Sequence, residues 1–419
     1  MTRLIFAFLV LFLLLQLRFY YLKPPNFPEG QLVKITGRIN QEPHQSETKQ
    51  IIIFGKVKVT ADQYPIYSLG DKIEVFGIIE KRVTKNKKSE FYMYPRQISV
   101  IDHGGEAPLW TKVRKALIGN RQRFERRLLM ILPQPQASLL SGILLGSRQT
   151  MSYDFLQKLQ TTGTIHLIAA SGYNITVISG VLLSGLVFFV RRRYALFLAF
   201  FAVTAYALAS GGEPAVIRAL IMTGVAFLAQ FLGREKNAII ALLLSGYLML
   251  LYNPLILYDI GFQLSFAATA GILFLQPIFS RMSFFRRNFI FKEIGISLSA
   301  QIAVLPILLY QFNAVSIISL VINCFLAPLI PYIMFFGSLI TFFSFVPFSF
   351  AKIAAVPSWV LLTLMVKLVD GFAAIPWANL MVTNFSVSAV LIYYFFLAIF
   401  LFLIWRNQSR SRFKSFLDI

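Results

Sequence analysis

Hydrophobic residues of this chain gather in long runs, and the first run stands near the N-terminus. Residues 4–22 are mostly apolar, Arg3 precedes them, and Lys23 with two prolines follows. No small-residue cleavage site of the A-x-A kind follows the run, which distinguishes it from a removable signal peptide. An apolar run of this length with basic flanks is typical of a transmembrane helix. We therefore predict a retained membrane anchor over residues 1–28.

Segment 29–106 changes to an alternation of apolar and polar residues, the period of a half-buried β-strand. Turns rich in Lys, Ser, Asp and Gly separate the alternating runs, which read QLVKITGRIN, QIIIFGKVKVTA, KIEVFGIIEK and YPRQISVID. Several short strands with polar turns are typical of barrels and sandwiches. The pattern predicts a small all-β domain, here interpreted as a barrel.

Segment 107–150 is predicted to hold basic amphipathic helices that lie at the membrane interface. Apolar residues recur at spacings of three, four or seven, namely Trp110, Val113, Leu117, Phe124, Leu128 and Ile131. Basic residues fill many of the positions between them, namely Lys112, Arg114, Lys115, Arg121, Arg123, Arg126 and Arg127. A helix of this kind lies in the headgroup plane. Adhesion to anionic lipid and contact with DNA both stay open as its purpose.

Nine apolar segments in the region 151–406 predict membrane-spanning helices. They are residues 165–190, 194–209, 214–232, 237–252, 258–279, 294–312, 315–345, 351–369 and 385–405. The long segment 315–345 contains Asn323, Pro328 and Pro331, which predict a broken or re-entrant helix. With the anchor, the predicted fold is a polytopic α-helical membrane protein of about ten transmembrane segments, some broken, with a small external β domain.

Charged loops between the apolar segments alternate in sign and predict the orientation of the chain. The basic clusters are 191–193, 234–236, 281–292 and the tail 407–419. The alternate loops hold Glu213, Asp259 and Asp370. Basic loops stay in the cytoplasm. We therefore predict that both termini and the tail are cytoplasmic and that the β domain is extracellular or periplasmic.

Composition agrees with a membrane protein and adds a charge that needs a partner. Hydrophobic residues make up 57% of the chain and charged residues only 14%, which excludes an ordinary soluble enzyme. The net charge of +22 predicts an acidic partner, either anionic lipid headgroups or a nucleic acid. Cys324 is the single cysteine, so we expect no intramolecular disulfide and no cysteine zinc site.

Polar side chains interrupt the apolar segment 165–190 within the run TTGTIHLIAASGYNITVISG. His166, Ser171, Gly172 and Asn174 then lie at membrane depth, where polar groups are stable only against protein or water. We predict that they line or gate a pathway and hydrogen-bond a passing phosphodiester. A helix–helix contact held by small and polar residues is the alternative. On an ideal helix His166 and Ser171 lie about 140° apart, so they meet only if Gly172 breaks the helix.

Other polar residues within the spans extend the predicted pathway. Arg218 lies about a turn into its span, so it must pair with a carboxylate such as Glu213 or meet an incoming phosphate. Asp259 is also assigned to the pathway, although its position predicts a helix cap. The uncharged pathway residues are Gln263, Gln301 and Asn323. Such groups replace water around a polyanion, or else form hydrogen bonds between helices.

Basic and aromatic residues outside the spans predict a surface for single-stranded DNA. Phosphates would meet the cations, and bases would stack on the tyrosines. The predicted contacts are Lys34, Arg38, Lys56, Lys58, Tyr92 and Tyr94 in the β domain, with Arg121, Arg123 and Arg127 in the basic helix. A solvated basic face without a nucleic acid is the alternative.

The longest motif, LLSGILLGSRQTMSYDFLQKLQTTGTIHLIAASGYNI, resembles the signature of the ComEC competence family. Four later stretches follow in the order of that family: GGEPAVIRALIM, YNPLILYDIGFQLSF, SAQIAVLPILLYQFN and INCFLAPLIPYIMFFG. The resemblance covers almost the whole chain and implies an N-terminal OB-like domain joined to a membrane channel. It implies a channel that translocates single-stranded DNA into the cell during natural transformation.

The resemblance also implies partners, and the sequence departs from the family pattern in two places. Besides DNA and the bilayer of the cytoplasmic membrane, we expect a separate cytoplasmic motor, an external DNA receptor and a separate nuclease. The sequence has three histidines and no H-x-H-x-D-H cluster, so we expect it to lack the metallo-β-lactamase-like nuclease domain of many relatives. The family usually has a histidine at the position of Asn174, whose amide keeps hydrogen bonding but not protonation.

Motifs for catalytic chemistry are missing from the sequence. It has no G-x-x-x-x-G-K-[ST] loop and no H-E-x-x-H motif, so we expect no ATP hydrolysis, metal, cofactor or enzymatic activity. The first rival function is a small-molecule or ion transporter, which would tolerate loss of the β domain. The second is a membrane-embedded hydrolase using His166 and Ser171, for which no partner that orients the base is visible.

Overall fold

The computed structural model of the protein describes most of the chain. The described residues are 30–39, 43–45, 49–54, 57–83, 89–103, 108–147, 150–168, 171–286, 289–343, 348–382 and 385–417. The predicted anchor at 1–28 and Lys56 lie outside these residues.

Six strands form one sheet in the N-terminal region. They are β1 (Leu32–Arg38), β2 (His44–Gln45), β3 (Lys49–Phe54), β4 (Val57–Asp62), β5 (Lys72–Val83) and β6 (Ser89–Asp102). Their order is β1-β5-β6-β4-β3-β2, and every pairing is antiparallel except β4 with β6. Alternate residues of the central strands are fully buried, among them Ile73, Val75 and Ile79 on β5. The predicted all-β region therefore has its own hydrophobic core.

One predicted strand is in fact two. The run QIIIFGKVKVTA contains most of β3 and β4, which pair antiparallel so that Ile52 lies opposite Val59. A Gly-Lys pair stands between these strands in the sequence. Period-two alternation continues through such a pair, so alternation alone does not reveal where a hairpin reverses.

Fourteen helices follow within the described part of the chain. They are α1 (Leu109–Ile131), α2 (Gln136–Leu145), α3 (Tyr153–Thr161), α4 (Gly172–Leu186), α5 (Arg192–Ala209), α6 (Pro214–Phe231), α7 (Ala238–Tyr252), α8 (Ile260–Phe279), α9 (Ser283–Arg286), α10 (Phe289–Phe312), α11 (Ser319–Leu326), α12 (Leu329–Phe343), α13 (Phe348–Ala373) and α14 (Val387–Leu417). Two 3-10 turns, Ile165–Leu167 and Pro254–Tyr258, precede α4 and α8. A short pair of strands, β7 (Ala314–Ser316) and β8 (Asn379–Met381), links the segments before α11 and α14.

Seven helical segments of the described residues are long and apolar enough to cross a membrane. The helices α11 and α12 add an eighth span if they are counted together, and their axes differ by 45°. The predicted break in segment 315–345 is therefore confirmed. Helix α7 has 15 residues, a rise of about 22 Å, which falls short of a hydrocarbon core of about 30 Å. The chain is a multi-pass membrane protein, and seven or eight segments of its described part are long and apolar enough to span, against nine predicted.

Helix α2 lies at the centre of the largest hydrophobic core. Nine of its residues are buried, and Leu139, Leu140 and Ile143 are fully covered by α11, α12 and α13 together with the segment that follows α3. Gly337 on α12 lets that helix approach closely, because a Cβ built there would lie 2.7 Å from Leu140 Cδ1. A helix that is apolar on all sides belongs inside a protein rather than at an interface.

Helix α1 docks on the C-terminal end of α5 through a buried arginine. The Arg121 side chain is only 7% exposed, its Nε lies 3.3 Å from Glu125 Oε1, and its Nη1 donates to the Ala209 carbonyl at 3.2 Å. Cations favour helix C-termini because the last carbonyls lack intrahelical partners. Arg121 is therefore structural, which corrects its prediction as an external DNA contact.

Replacing Arg121 with Gln should destabilise the docking of α1. The Ala209 carbonyl and the buried Glu125 carboxylate would lose a charged donor, at a cost of about 1–3 kcal/mol. Arg123→Gln is the matched control, because Arg123 is exposed two residues away on the same helix. The midpoint of thermal unfolding in detergent should fall for the first variant only. Equal midpoints would contradict the structural role of Arg121.

Candidate functional site

The predicted polar segment lies at a helix start, not within a continuous helix. His166 belongs to the 3-10 turn, is exposed, and its Nδ1 lies 2.9 Å from the Gly163 carbonyl. Helix α4 begins at Gly172, and the side chain of Ser171 is its N-cap. The break that would let these groups approach one another therefore exists. It precedes Gly172 instead of occurring at it.

Asn174 is buried and tied to two neighbours. Its Nδ2 donates to the Ile143 carbonyl at 2.7 Å, and its Oδ1 accepts from Ser171 Oγ at 3.0 Å. The Tyr206 hydroxyl of α5 donates to the adjacent Leu144 carbonyl at 2.6 Å. Both carbonyls belong to the last turn of α2, where backbone carbonyls have no N–H partner within the helix. Asn174 is 1% exposed, so in this structure it holds helices together, which was the alternative to lining a pathway.

Arg218 is the buried cation of this region. Its side chain leaves α6, donates from Nη1 to the Ser265 carbonyl at 2.5 Å, and hydrogen-bonds Thr269 Oγ1 on α8. Its guanidinium carbon lies 5.8 Å from the centre of the Phe266 ring, a cation–π distance. Arg218 is 7% exposed, and its Nε is buried without a hydrogen-bond partner among the described residues.

Glu213 does not neutralise Arg218. Within the described ranges, Arg218 forms no ion pair with any carboxylate, so the alternative in which it pairs with Glu213 is not observed. Glu213 instead precedes Pro214 at the start of α6, in the ordinary place for a helix-start acid. A buried cation without a carboxylate is costly, and contact with an incoming phosphate stays a prediction.

Gly172 allows the Arg218 guanidinium to reach the start of α4. A Cβ built on Gly172 would lie 2.6 Å from Arg218 Nη2 and 3.3 Å from Ala219 Cβ. The first N–H groups of a helix lack intrahelical acceptors and carry a partial positive charge. The guanidinium and the helix start therefore lie side by side with the same sign of charge. Together they form an arrangement suited to an oxyanion such as phosphate.

We call this arrangement the α4 anion site, formed by Ser171, Gly172, Arg218, Ser265 and Thr269. Sequence reasoning missed Ser265 and Thr269. Ser265 acts through its backbone carbonyl, which no side-chain pattern reveals. The only available signal was Thr269, a hydroxyl in an apolar helix, which is too common to single out.

Three of the other four polar pathway residues have local or interhelical partners. Asp259 caps α8 by accepting from the Phe262 N–H at 2.9 Å, which confirms the predicted cap. Gln263 donates to the Leu257 carbonyl at 2.9 Å. Gln301 on α10 donates to Ser319 Oγ on α11 at 2.9 Å, whereas Asn323 Oδ1 is buried without a partner in the described residues.

Lys158 holds the segment before α4 against α13. Its Nζ lies 2.9 Å from Asp154 Oδ2 and 3.1 Å from Asp370 Oδ1. Hydrogen bonds to these carboxylates, with Asp154 the larger contributor, raise the pKa of Lys158 above its ordinary value. The lysine therefore stays charged at neutral pH. Its partner on α13 is distant in sequence, so pattern reading did not find it.

The predicted external DNA contacts are partly engaged within the β domain. Lys34 pairs with Glu74, and Arg38 pairs with Asp102 at 3.1 Å. Lys58 lies over the Tyr92 ring, 5.4 Å from its centre. The remaining predicted contacts, Tyr94, Arg123 and Arg127, are exposed. The described residues contain no group of three His, Cys, Asp or Glu side chains that could hold a metal ion.

Comparison with known proteins covers the membrane region. Residues 143–407 match the sequence model of a family described as Competence protein. ComE operon protein 3 of Bacillus subtilis (strain 168) is 30% identical over 203 residues, 47% of this chain and 25% of that protein. Uncharacterized protein YcaI of Escherichia coli (strain K12) is 23% identical over 220 residues, 48% of this chain and 28% of that protein. The chain thus spans about a quarter of the length of these relatives. No solved structure matches significantly.

Two glycine substitutions on α4 should have opposite effects on stability. Gly172→Ala places a methyl group against the Arg218 guanidinium, which must move from the Ser265 carbonyl, at a cost of about 1–3 kcal/mol. Gly180→Ala meets no described atom within 4 Å and should stabilise the helix by up to about 1 kcal/mol. Thermal unfolding in detergent measures both. A Gly172→Ala protein as stable as Gly180→Ala would show that the guanidinium does not lie where the structure has it.

Proposed function

This chain belongs to the competence protein family, and on that premise we propose that it is a channel that passes single-stranded DNA through the cytoplasmic membrane during natural transformation. The motifs that resembled the ComEC family lie mostly within the matched residues 143–407. The proposed role is permeation rather than catalysis. Because the chain spans about a quarter of its curated relatives, DNA, partners and direction of transport are all part of the proposal.

The α4 anion site carries this proposal. A strand of DNA presents one phosphate after another, and each needs a partner to replace water at membrane depth. Arg218 offers guanidinium donors beside a helix start, and no carboxylate among the described residues neutralises it. One cation without a counter-ion favours a passing phosphate, whereas a cluster of arginines would hold the strand too tightly. His166, Gln301 and Asn323 supply further polar groups along the proposed path.

The sheet topology supports an OB-like external domain. Strands β3 and β4 form an antiparallel pair, β4 runs parallel to β6, and β5 joins β6 to β1. This is the order expected of a five-stranded Greek-key barrel in which β1 and β2 act as one bent strand. We propose that Lys58, Tyr92 and Tyr94 form its DNA-binding surface, together with Lys34, Arg38 and Lys56 and with Arg123 and Arg127 on α1.

Orientation and partners follow from the same proposal. The β domain faces outward and both termini lie in the cytoplasm, with residues 1–28 as anchor and 407–419 as a basic tail. The net charge of +22 serves both anionic lipid and DNA. We also propose a separate motor, an external receptor and a separate nuclease as partners. The motor is needed because channel residues alone provide no source of energy.

The rival hydrolase finds little support in the geometry. A Ser-His pair needs the serine oxygen within hydrogen-bond reach of the histidine nitrogen. Ser171 Oγ instead bonds with Asn174 and caps α4, and His166 Nδ1 lies against the Gly163 carbonyl. A transporter for small anions would use the same α4 anion site. It is distinguished by its cargo in the experiment below.

Arg218→Gln should reduce entry of fluorescent single-stranded DNA into liposomes that contain the purified protein. The substitution removes charged donors worth about 1.5–3 kcal/mol, so the initial rate should fall by roughly tenfold or more. Arg192→Gln is the matched control, because Arg192 is exposed and bonds only Gln230 among the described residues. An imposed gradient or potential supplies the driving force in all samples.

Three results of this experiment would count against the proposal. Equal entry rates for Arg218→Gln and Arg192→Gln would remove the α4 anion site from the mechanism. Entry of inorganic phosphate without entry of DNA would favour the small-anion transporter. Release of cleaved product that is lost in Ser171→Ala would favour the hydrolase.

Tyr94→Ala should weaken binding of single-stranded DNA to the whole protein in detergent. Stacking of one base on a tyrosine contributes about 1–3 kcal/mol, so we expect a loss of roughly tenfold in affinity. Tyr64→Ala is the control, because Tyr64 is exposed in the loop between β4 and β5 and is not part of the proposed surface. Fluorescence anisotropy at several salt concentrations measures the effect. Equal losses in the two variants would argue against a stacking surface on β6.

A further inference from the structure

A cavity lies between the β domain and helix α1. It has a volume of about 460 Å³ and is bounded by the loop that contains Ile66 and Leu69, by one face of α1, and by Thr150. Small-molecule sites commonly have volumes of roughly 300–1,000 Å³. The cavity is therefore large enough for one nucleotide.

The cavity lies on a different face of α1 from the arginines that contact the end of α5. Arg114 and Arg121 on α1 donate to the Gly211 and Ala209 carbonyls at the end of α5. Helix α1 contributes residues to the cavity wall that include Ile118, Gln122 and Leu129. These residues recur every three, four or seven positions, so they lie on another face of α1. Helix α1 therefore contacts the end of α5 on one face and borders the cavity on a neighbouring face.

Gly119 lines the cavity from the middle of α1. Glycine is unfavourable inside a helix, so a mid-helix glycine usually has a packing reason. Here no described atom lies within 4 Å of the place its Cβ would occupy. Its φ angle also falls outside the left-handed region that favours glycine. Since neither close packing nor backbone conformation requires Gly119, the feature that it provides is open space in the cavity.

The polar groups of the cavity suit an anionic ligand that also carries hydrogen-bonding atoms. Arg126 is exposed and, within the described residues, pairs with no carboxylate. Lys115 lies 3.7 Å from Asp71, and Glu125 is held by Arg121, so Arg126 contributes the unneutralised charge. Thr150 Oγ1 is buried and has no hydrogen-bond partner in the described part of the chain. Ile66 and Leu129 add exposed apolar surface.

We propose that this junction cavity binds one nucleotide of an incoming single strand. The phosphate contacts Arg126 and Lys115, the base covers Ile66 and Leu129, and Thr150 Oγ1 hydrogen-bonds the nucleotide. This inference rests on the proposed function, since it names a resting place for the strand between the β domain and the spans. A nucleotide has the required combination of a flat, weakly polar base and an anionic group.

Protection of a cysteine at the cavity wall tests the inference directly. In an Ile66→Cys protein, the new thiol is at an exposed position, whereas the native Cys324 is buried and gives a low background with maleimide. Thymidine monophosphate or a short oligothymidylate at about ten times its Kd should slow maleimide labelling roughly tenfold, because about one cavity in ten is then empty. No slowing by either probe would overturn the proposal, as would slowing by soluble phosphatidylglycerol alone.

Filling the cavity provides the matched variant. Gly119→Leu in the Ile66→Cys protein should abolish protection while the unfolding temperature stays equal or rises, because leucine favours the helix. Gly180→Leu on α4, which also meets open space, should leave protection unchanged. Retained protection in a folded Gly119→Leu protein would overturn the proposal.

The same samples separate this inference from the proposed function. Entry of DNA into liposomes without protection of the cysteine at position 66 would refute the cavity site and leave the channel standing. Protection that depends on Gly119, in a protein that passes no DNA, would support the cavity site and refute the channel.

Discussion

Hydrocarbon offers no hydrogen-bond partners, so every polar group within the spans must find one in the protein or in water. This constraint arranges the helices around the start of α4. Asn174 reaches a carbonyl of α2, Tyr206 of α5 reaches the next carbonyl, and Arg218 of α6 reaches α8. These bonds connect α4 and α5 to α2, and α6 to α8. Apolar packing alone would leave their rotations far less restricted, because lipid and leucine are equally apolar.

Arg218 satisfies this constraint only in part. It has five N–H donors, and the acceptors within reach are the Ser265 carbonyl and Thr269 Oγ1, both of which are uncharged. A buried salt bridge would have made the residue a permanent part of the scaffold. The neutral partners hold its position but leave its charge uncompensated. A site that binds anions must combine these properties, since a fixed position without spare charge gives no affinity, and spare charge without a fixed position gives no selectivity.

The features that sequence predicted well depend on residues close together in the chain. The cap by Asp259, the break between α11 and α12 and the alternation in β5 need only a few neighbouring residues. Arg121 and Asn174 were interpreted less well because their partners stand 88 and 31 positions away. An arginine on a basic helix has the same local pattern whether it faces water or a distant carbonyl. The α4 anion site was predicted only in part for this reason, since Ser171, Gly172 and Arg218 were candidates, whereas Thr269 and the Ser265 backbone carbonyl were not.

Helix α1 has two contact surfaces that its basic sequence pattern does not distinguish. Its basic residues predicted a helix that lies on lipid, yet Arg121 and Glu125 are buried and its other face borders a cavity beside the β domain. A helix with polar residues on two faces does not separate its polar and apolar residues clearly. Its prediction from sequence therefore depends mainly on its charged residues. Helix α1 also connects the β domain to the helical region. Because α1 contacts both the end of α5 and the β domain, it joins this domain directly to one of the candidate spans.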